Sequence, residues 1–144
     1  MATIEGKIIL VDDEKYEFKF LELALQRKNW NVKVEYYSSP KMALAHMRIT
    51  REKIFLVICD MDMPEMGGLD FKKTIDNDKN LRQKAIPFIF LSKTAGKEEI
   101  AEAYEYRVQG YFKKPMTVEE QAIMLDIIIK YWIICMHPNA ADSI

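Results

Sequence analysis

The sequence predicts a parallel α/β sheet layered with helices, and three observations carry that prediction. Short apolar runs alternate with longer amphipathic stretches along the chain. The runs are rich in β-branched and aromatic residues, as strands are. Three of them are apolar on both faces, the pattern of strands covered by helices on two sides. A length of 144 residues with 49% hydrophobic content suits one domain with a substantial core, expected over 1–136 and followed by a short tail at 137–144.

In chain order, a first strand is expected over 7–11 and then a helix over 17–28, where Phe18, Leu21, Ala24 and Leu25 recur on one side. A second strand at 32–37 leads to Ser39-Pro40, a helix-start signal, after which Met42, Ala43, Leu44 and Met47 supply an apolar side. The runs at 54–59 and 86–91 are apolar throughout, like the first, so these three strands should be central. Between them helical spacing appears over 69–75, and Gly67-Gly68 are expected to form a turn with φ values that other residues avoid. A helix over 98–106, a short strand at 111–112 and a helix over 118–135 complete five strands and five helices joined by right-handed crossovers.

The last helix is unusual. Residues 123–136 are apolar except for Asp126 and Lys130, a wider sector than one sheet face needs. The charges and the shortness of the run argue against a membrane span, which leaves a partner or dimer face in competition with plain burial.

Lys and Arg total 21 against 22 Asp and Glu, so no strong overall field draws the chain to nucleic acid or to an anionic membrane surface. The start MATIEGKIILVDD has no basic region, apolar stretch and cleavage site in secretory order, and a cytoplasmic location is expected. Cys59 and Cys135 stand far apart with no CxxC pattern and read as buried thiols. His46 and His137 look isolated and ask for no catalytic explanation.

Functional groups of a parallel α/β sheet collect at the carboxyl ends of its central strands. Asp12 and Asp13 end the first strand and Asp60 ends the third, so three carboxylates converge if those strands are neighbours. Two unit charges about 4 Å apart repel by on the order of 4 kcal/mol at an effective dielectric of about 20, so such a crevice calls for a counter-cation. Oxygen-only ligands select a hard ion, and Mg²⁺ suits one or two carboxylates completed by waters and a phosphate. Asp60 can then act as a nucleophile and form an acyl phosphate. A lone strand-end Asp is usually a helix cap; three at adjacent ends are not. Lys114, after the fifth strand, becomes a charge partner in that setting. Ser92, closing the fourth strand, is either a hydroxyl donor to phosphate or a local turn group.

These residues carry a resemblance. Leu10-Val11-Asp12-Asp13-Glu14, the stretch Asp60-Met61-Asp62-Met63-Pro64-Glu65-Met66-Gly67-Gly68, Phe90-Leu91-Ser92, and Gly110-Tyr111-Phe112-Lys113-Lys114-Pro115 stand in the order and spacing of a response-regulator receiver domain of the chemotaxis-regulator type. The likeness covers roughly 7–134 and implies a flavodoxin-like doubly wound sheet of order 2-1-3-4-5. It implies Asp60 as phosphoacceptor, Asp13 as a direct metal ligand, Asp12 acting on the metal through water, and the Asp62 backbone carbonyl as a further ligand. Ser92 and Tyr111 correspond to the switch pair, and Lys114 to the lysine that pairs with the phosphoryl group. The implied cofactor is Mg²⁺. The implied phosphodonor is a sensor histidine kinase or a histidine phosphotransfer protein, and no turnover of a separate substrate is expected. Output is expected through the face of the fourth helix, fifth strand and fifth helix, toward another protein, a second copy of the chain, or onward relay.

Lys93 departs from the pattern. Alanine is common there, and a large cation beside the site is expected to modulate the lifetime of the acyl phosphate. Weaker likenesses, in Ala103-Tyr104-Glu105 and Tyr131-Trp132, are to regulators paired with phytochrome-type kinases. Other readings fit less well. The DxD at Asp60 and Asp62 resembles haloacid-dehalogenase-type phosphatases, but it follows the third strand rather than the first and no later GDxxxD appears. A nucleotide or flavin binder would want a glycine-rich loop after the first strand, where this chain has acids. A receiver fold that has lost its chemistry would not keep every site position filled.

Overall fold

A computed structural model describes residues 2–138. The elements run β1 (Ala2–Val11), α1 (Tyr16–Arg27), β2 (Trp30–Tyr37), α2 (Pro40–Ile49), β3 (Ile54–Cys59), α3 (Gly68–Asn77), α4 (Lys79–Lys84), β4 (Phe88–Ser92), α5 (Lys97–Glu105), β5 (Gly110–Lys113) and α6 (Val118–Ile134). All four strand pairings are parallel and the order is β2-β1-β3-β4-β5, with β1, β3 and β4 interior as their two-faced apolar runs require.

Period-two alternation divides the core into two layers. Ile9, Val57, Cys59 and Phe90 face α2 and α3, where Ala43, Met47, Phe71 and Ile75 meet them. Ile8, Leu10, Ile58 and Leu91 face α1 and α6, against Leu21, Leu25, Leu125 and Ile129. Each such large side chain contributes about 1.5–3 kcal/mol by leaving water, so both helix layers are held to the sheet by burial rather than by helix propensity. The helix starts agree with the sequence. Ser39 Oγ accepts the Met42 N–H ahead of Pro40, and Thr117 Oγ1 accepts the Glu120 N–H at 3.1 Å.

Among the described residues the five helices expected become six. Helix α4 is six residues long, too short to display a period, and starts on the side-chain cap of Asp78, whose carboxylate accepts the Asn80 and Leu81 N–H groups at 3.1 Å. Strand β1 also begins earlier than expected. Its pairing with β2 shifts register between Thr3 and Lys7, and Gly6 absorbs the shift at φ 101, with Lys53 O close behind it.

The two glycines before α3 are needed for space, not for φ. Gly67 sits at φ −74, and neither it nor Gly68 is left-handed. A Cβ at Gly68 would lie 2.5 Å from Phe90 Cε1 and 2.6 Å from Asp60 O, so only glycine lets α3 start this close to β3 and β4. His46 is not isolated either. Its Nε2 lies 2.9 Å from Glu35 and 2.6 Å from Nζ of Lys7, a lysine that is 1% exposed and also 3.1 Å from Glu35. Burial works against the Glu35 carboxylate, but hydrogen bonds from Lys7, Lys33 and Tyr37 outweigh it and bring the carboxyl to about 2. Cys59 is buried, and burial pushes its thiol up; Cys135, expected buried, is only half-buried past the end of α6.

His137 stacks on Phe55, centroids 5.0 Å apart, and the remainder of the tail, 139–144, lies outside the described residues. No helix among the described residues is long and apolar enough to cross a membrane. Gly68→Ala is expected to cost about 1–3 kcal/mol, the usual range for an overpacked core, read as a lower urea midpoint at unchanged slope.

Candidate functional site

The register of β1 on β3 builds the site. Val11 pairs with Cys59, and the Asp60 N–H donates to Val11 O at 2.9 Å, so the residues that follow, Asp12 and Asp60, leave adjacent strand ends side by side. Asp12, Asp13 and Asp60 each offer a carboxylate oxygen within 4.8 Å of the others. Asp12 and Asp60 are buried and Asp13 is exposed. None of them caps α1, whose N-cap position is Lys15 and carries no side-chain cap. Asp12 instead accepts the Glu14 N–H at 3.0 Å, and its backbone carbonyl accepts the Tyr36 hydroxyl at 2.6 Å.

Strand β5 delivers the cation. Ser92 pairs with Lys113, and the next residue, Lys114, donates its backbone N–H to Ser92 O at 2.7 Å. Its Nζ lies 2.8 Å from Asp12 Oδ2, 3.5 Å from Glu17 Oε1 and 3.9 Å from Asp60 Oδ2. Burial works against this ammonium, but the hydrogen bond to Asp12 and the charges of Asp60 and Glu17 outweigh it and raise its pKa. Burial raises Asp60 to about 6; Lys114 pulls it down, Asp12 pushes it up, and the Asp62 N–H pulls it down again. Asp12 and Glu17 are raised mainly by burial, with Lys114 opposing.

Ser92 is fully buried, and its Oγ lies 3.3 Å from Thr94 Oγ1. Thr94 ties three elements together: its hydroxyl donates to Glu99 at 2.8 Å and approaches Asp62 at 3.4 Å, and its carbonyl accepts the Tyr111 hydroxyl at 2.9 Å. The Tyr111 ring is half-buried beside Phe90, with centroids 6.0 Å apart. Asp62 is exposed. Lys93 turns to the rim and pairs with Glu14 at 2.9 Å and with the Tyr16 hydroxyl at 3.3 Å. The structure thus brings Asp12, Asp13, Asp60 and Lys114 into one crevice, with Ser92 and Tyr111 linked through Thr94. Sequence reasoning missed Glu17, Thr94 and the Glu14–Tyr16 pair. The only sign of Glu17 is an acid in the first turn of α1, which a helix dipole explains equally well.

The architecture defines a flavodoxin-like domain, and solved structures share it. The phosphorylated cyanobacterial phytochrome response regulator RcpA superposes with a TM-score of 0.77 at 22% identity, covering 91% of this chain and 96% of that one. Rcp1 in its Mn²⁺-bound form gives 0.75 at 19%, over 91% of this chain and 96% of that one. CheY4 of Vibrio cholerae gives 0.70 at 24%, over 87% and 99%. Residues 8–126 match the family model of the response regulator receiver domain, and the chain belongs to that family. Among curated relatives, the probable methanogenesis regulatory protein FilR2 of Methanothrix harundinacea is 25% identical over 130 residues, 88% of this chain and 83% of that protein. ArlR of Staphylococcus aureus is 27% identical over 126 residues, 86% of this chain, which spans about half of ArlR's length (52%).

The raised Asp60 pKa has a sign that stability can read. A carboxyl raised in the fold contributes stability below its unfolded value, near 4, and loses it as pH rises through about 6. In metal-free protein, Asp60→Asn is therefore expected to raise stability by about 1–3 kcal/mol at pH 7.5, and the gain should shrink toward pH 4. Urea unfolding in EDTA at the two pH values measures it.

Proposed function

We propose that this receiver domain takes a phosphoryl group onto Asp60 from a sensor histidine kinase or a histidine phosphotransfer protein and signals by a change of shape in a two-component relay. The observation that carries this reading is the buried Asp60 carboxylate set within 4.8 Å of two further acids and 3.9 Å from a lysine. In the transfer, an Asp60 carboxylate oxygen forms the new bond to phosphorus as the donor's bond to phosphorus breaks, and the electron pair leaves with the donor. Lys114 stands ready to follow the added charge, since phosphorylation replaces one negative charge with a group of about −1.5 to −2.

The donor set fits a hard divalent cation, since it is all oxygen and crowded enough to need a counter-charge. Asp13 and Asp60 would hold Mg²⁺ directly, with Asp12 through water and the Asp62 backbone carbonyl completing the protein's share. When bound, Mg²⁺ neutralises the carboxylates and draws the donor's phosphate oxygens toward Asp60. The Mn²⁺ carried by Rcp1, a neighbour in fold, is consistent with such a site. That exchange belongs in the cytoplasm, and the domain catalyses nothing beyond its own phosphorylation and dephosphorylation.

Output runs through α5, β5 and α6, the fourth helix, fifth strand and fifth helix of the sequence reading. Ser92 moves toward the phosphoryl group, its neighbour Thr94 follows, and the Tyr111 ring, tied by its hydroxyl to the Thr94 carbonyl, turns inward into the space this frees. The adjoining surface suits a protein partner or a second copy: Ile123, Ile127, Tyr131 and Ile134 form an exposed apolar stripe at helical spacing on α6. A cleft of about 410 Å³ beside it is lined by Phe112, Met124 and Trp132 among others.

Intact-mass analysis after incubation with acetyl phosphate and Mg²⁺ is expected to find one added phosphoryl group, absent in Asp60→Asn and in EDTA. Failure with both acetyl phosphate and phosphohistidine donors would favour an interaction module without phosphoryl chemistry. Lys93 lies on the rim, where its ammonium shields one side of the crevice, and Lys93→Ala is expected to change the lifetime of the phosphorylated protein. Equal lifetimes in a Mg²⁺ chase would remove Lys93 from the modulating residues.

A further inference from the structure

We infer that Glu17 is a positioning residue: its carboxylate shares the Lys114 ammonium with the strand-end acids, holds it toward α1, and thereby restrains phosphoryl transfer to Asp60. The inference rests on the reading of Asp60 given above and deepens it. Glu17 lies in the first turn of α1, yet it is only 8% exposed, unlike a first-turn acid that serves the helix dipole from solvent. Its Oε1 sits 3.5 Å from Lys114 Nζ, closer than Asp60 does at 3.9 Å. Lys114 has one ammonium to divide among three carboxylates, and the shortest contact, 2.8 Å, goes to Asp12.

When Asp60 gains a phosphoryl group, the added oxygens need the same ammonium. An ammonium drawn toward Glu17 has further to go, and the Glu17 charge itself disfavours more negative charge nearby. The carboxylate therefore acts as a brake, set by geometry and by sign, on how readily the crevice accepts phosphate. Neutralising it frees Lys114 to approach Asp60.

The test is the rate of phosphorylation by acetyl phosphate at saturating Mg²⁺, followed by intact mass, for wild type, Glu17→Gln, Glu17→Asp and the same Gln change in a Lys114→Ala background. Glu17→Gln is expected to react about three- to tenfold faster, as loss of one nearby like charge predicts. Glu17→Asp, which keeps the charge, should return toward wild type. A variant that merely loosened the fold would be slower, so equal or slower labelling of Glu17→Gln overturns the inference. In the Lys114→Ala background the Gln effect should shrink to the part that direct repulsion supplies; an effect of undiminished size would mean that Glu17 does not act through Lys114. In metal-free protein the Lys114 Nζ resonance should move in Glu17→Gln, and an unmoved resonance also overturns the contact. No labelling of wild type by acetyl phosphate or by a phosphohistidine donor would overturn the Asp60 reading itself and this inference with it, whereas labelled wild type with equal rates overturns this inference alone.

Discussion

Like-charge crowding at one edge of the sheet is the constraint on which this domain is built. Parallel pairing of Val11 with Cys59 leaves Asp12 and Asp60 at neighbouring strand ends, and the chain then has to live with buried carboxylates that repel each other. Lys114 is the fold's internal answer. It comes from β5, two strands away from β3 in the sheet, and it reaches the acids because β4 and β5 end in register at Ser92 and Lys113. One ammonium does not neutralise Asp12, Asp13, Asp60 and Glu17 together. The residual negative charge works against the metal-free fold, and on the function proposed above it is what would draw in a hard cation and then a phosphoryl donor. A stability cost of this kind is the usual companion of a poised site.

The same economy links the site to the surface. Ser92 is fully buried, and its neighbour Thr94 donates its hydroxyl to Glu99, lies close to Asp62, and accepts the Tyr111 hydroxyl at its backbone carbonyl. A pull on the loop after β4 therefore has two routes outward, to the start of α5 through Glu99 and to β5 through Tyr111. A tightly packed β4, buried at every residue, gives no slack behind the loop. The proposed coupling needs only these few hydrogen bonds and a rigid strand to act against.

How much of this was legible in the sequence depends on the range of the determining interactions. The central strands were legible because apolar character on both faces is written residue by residue, as in Ile54–Cys59. The acids and Lys114 were legible because strand ends locate side chains to within a residue. Helix α4 was not, since six residues carry no period and its start depends on the single cap of Asp78. Gly68 was assigned a turn conformation because φ is the local explanation for glycine, whereas its reason is the Phe90 ring from a different strand. Glu17, Thr94 and His46 failed for the same cause: each is defined by a partner far along the chain, Lys114, Tyr111 and Lys7 respectively.

Helix α6 extends this logic from the site to the outside. Gln121, Ala122, Leu125, Ile128 and Ile129 already provide the buried face that attaches it to α1 and the sheet, so the second stripe of Ile123, Ile127, Tyr131 and Ile134 lies outside that attachment. Ile127, Tyr131 and Ile134 are 64%, 62% and 84% exposed, and leaving them in water forgoes about 25 cal/mol for each Å² of apolar surface that burial would remove. A helix obliged only to fold would carry mostly polar residues at those positions, as α1 carries Lys19, Gln26 and Arg27 on its outer side. The stripe adjoins Phe112 of β5, one residue from Tyr111. On the function proposed above, a partner seated on this stripe would lie next to Tyr111 and so near the element that would follow phosphorylation of Asp60.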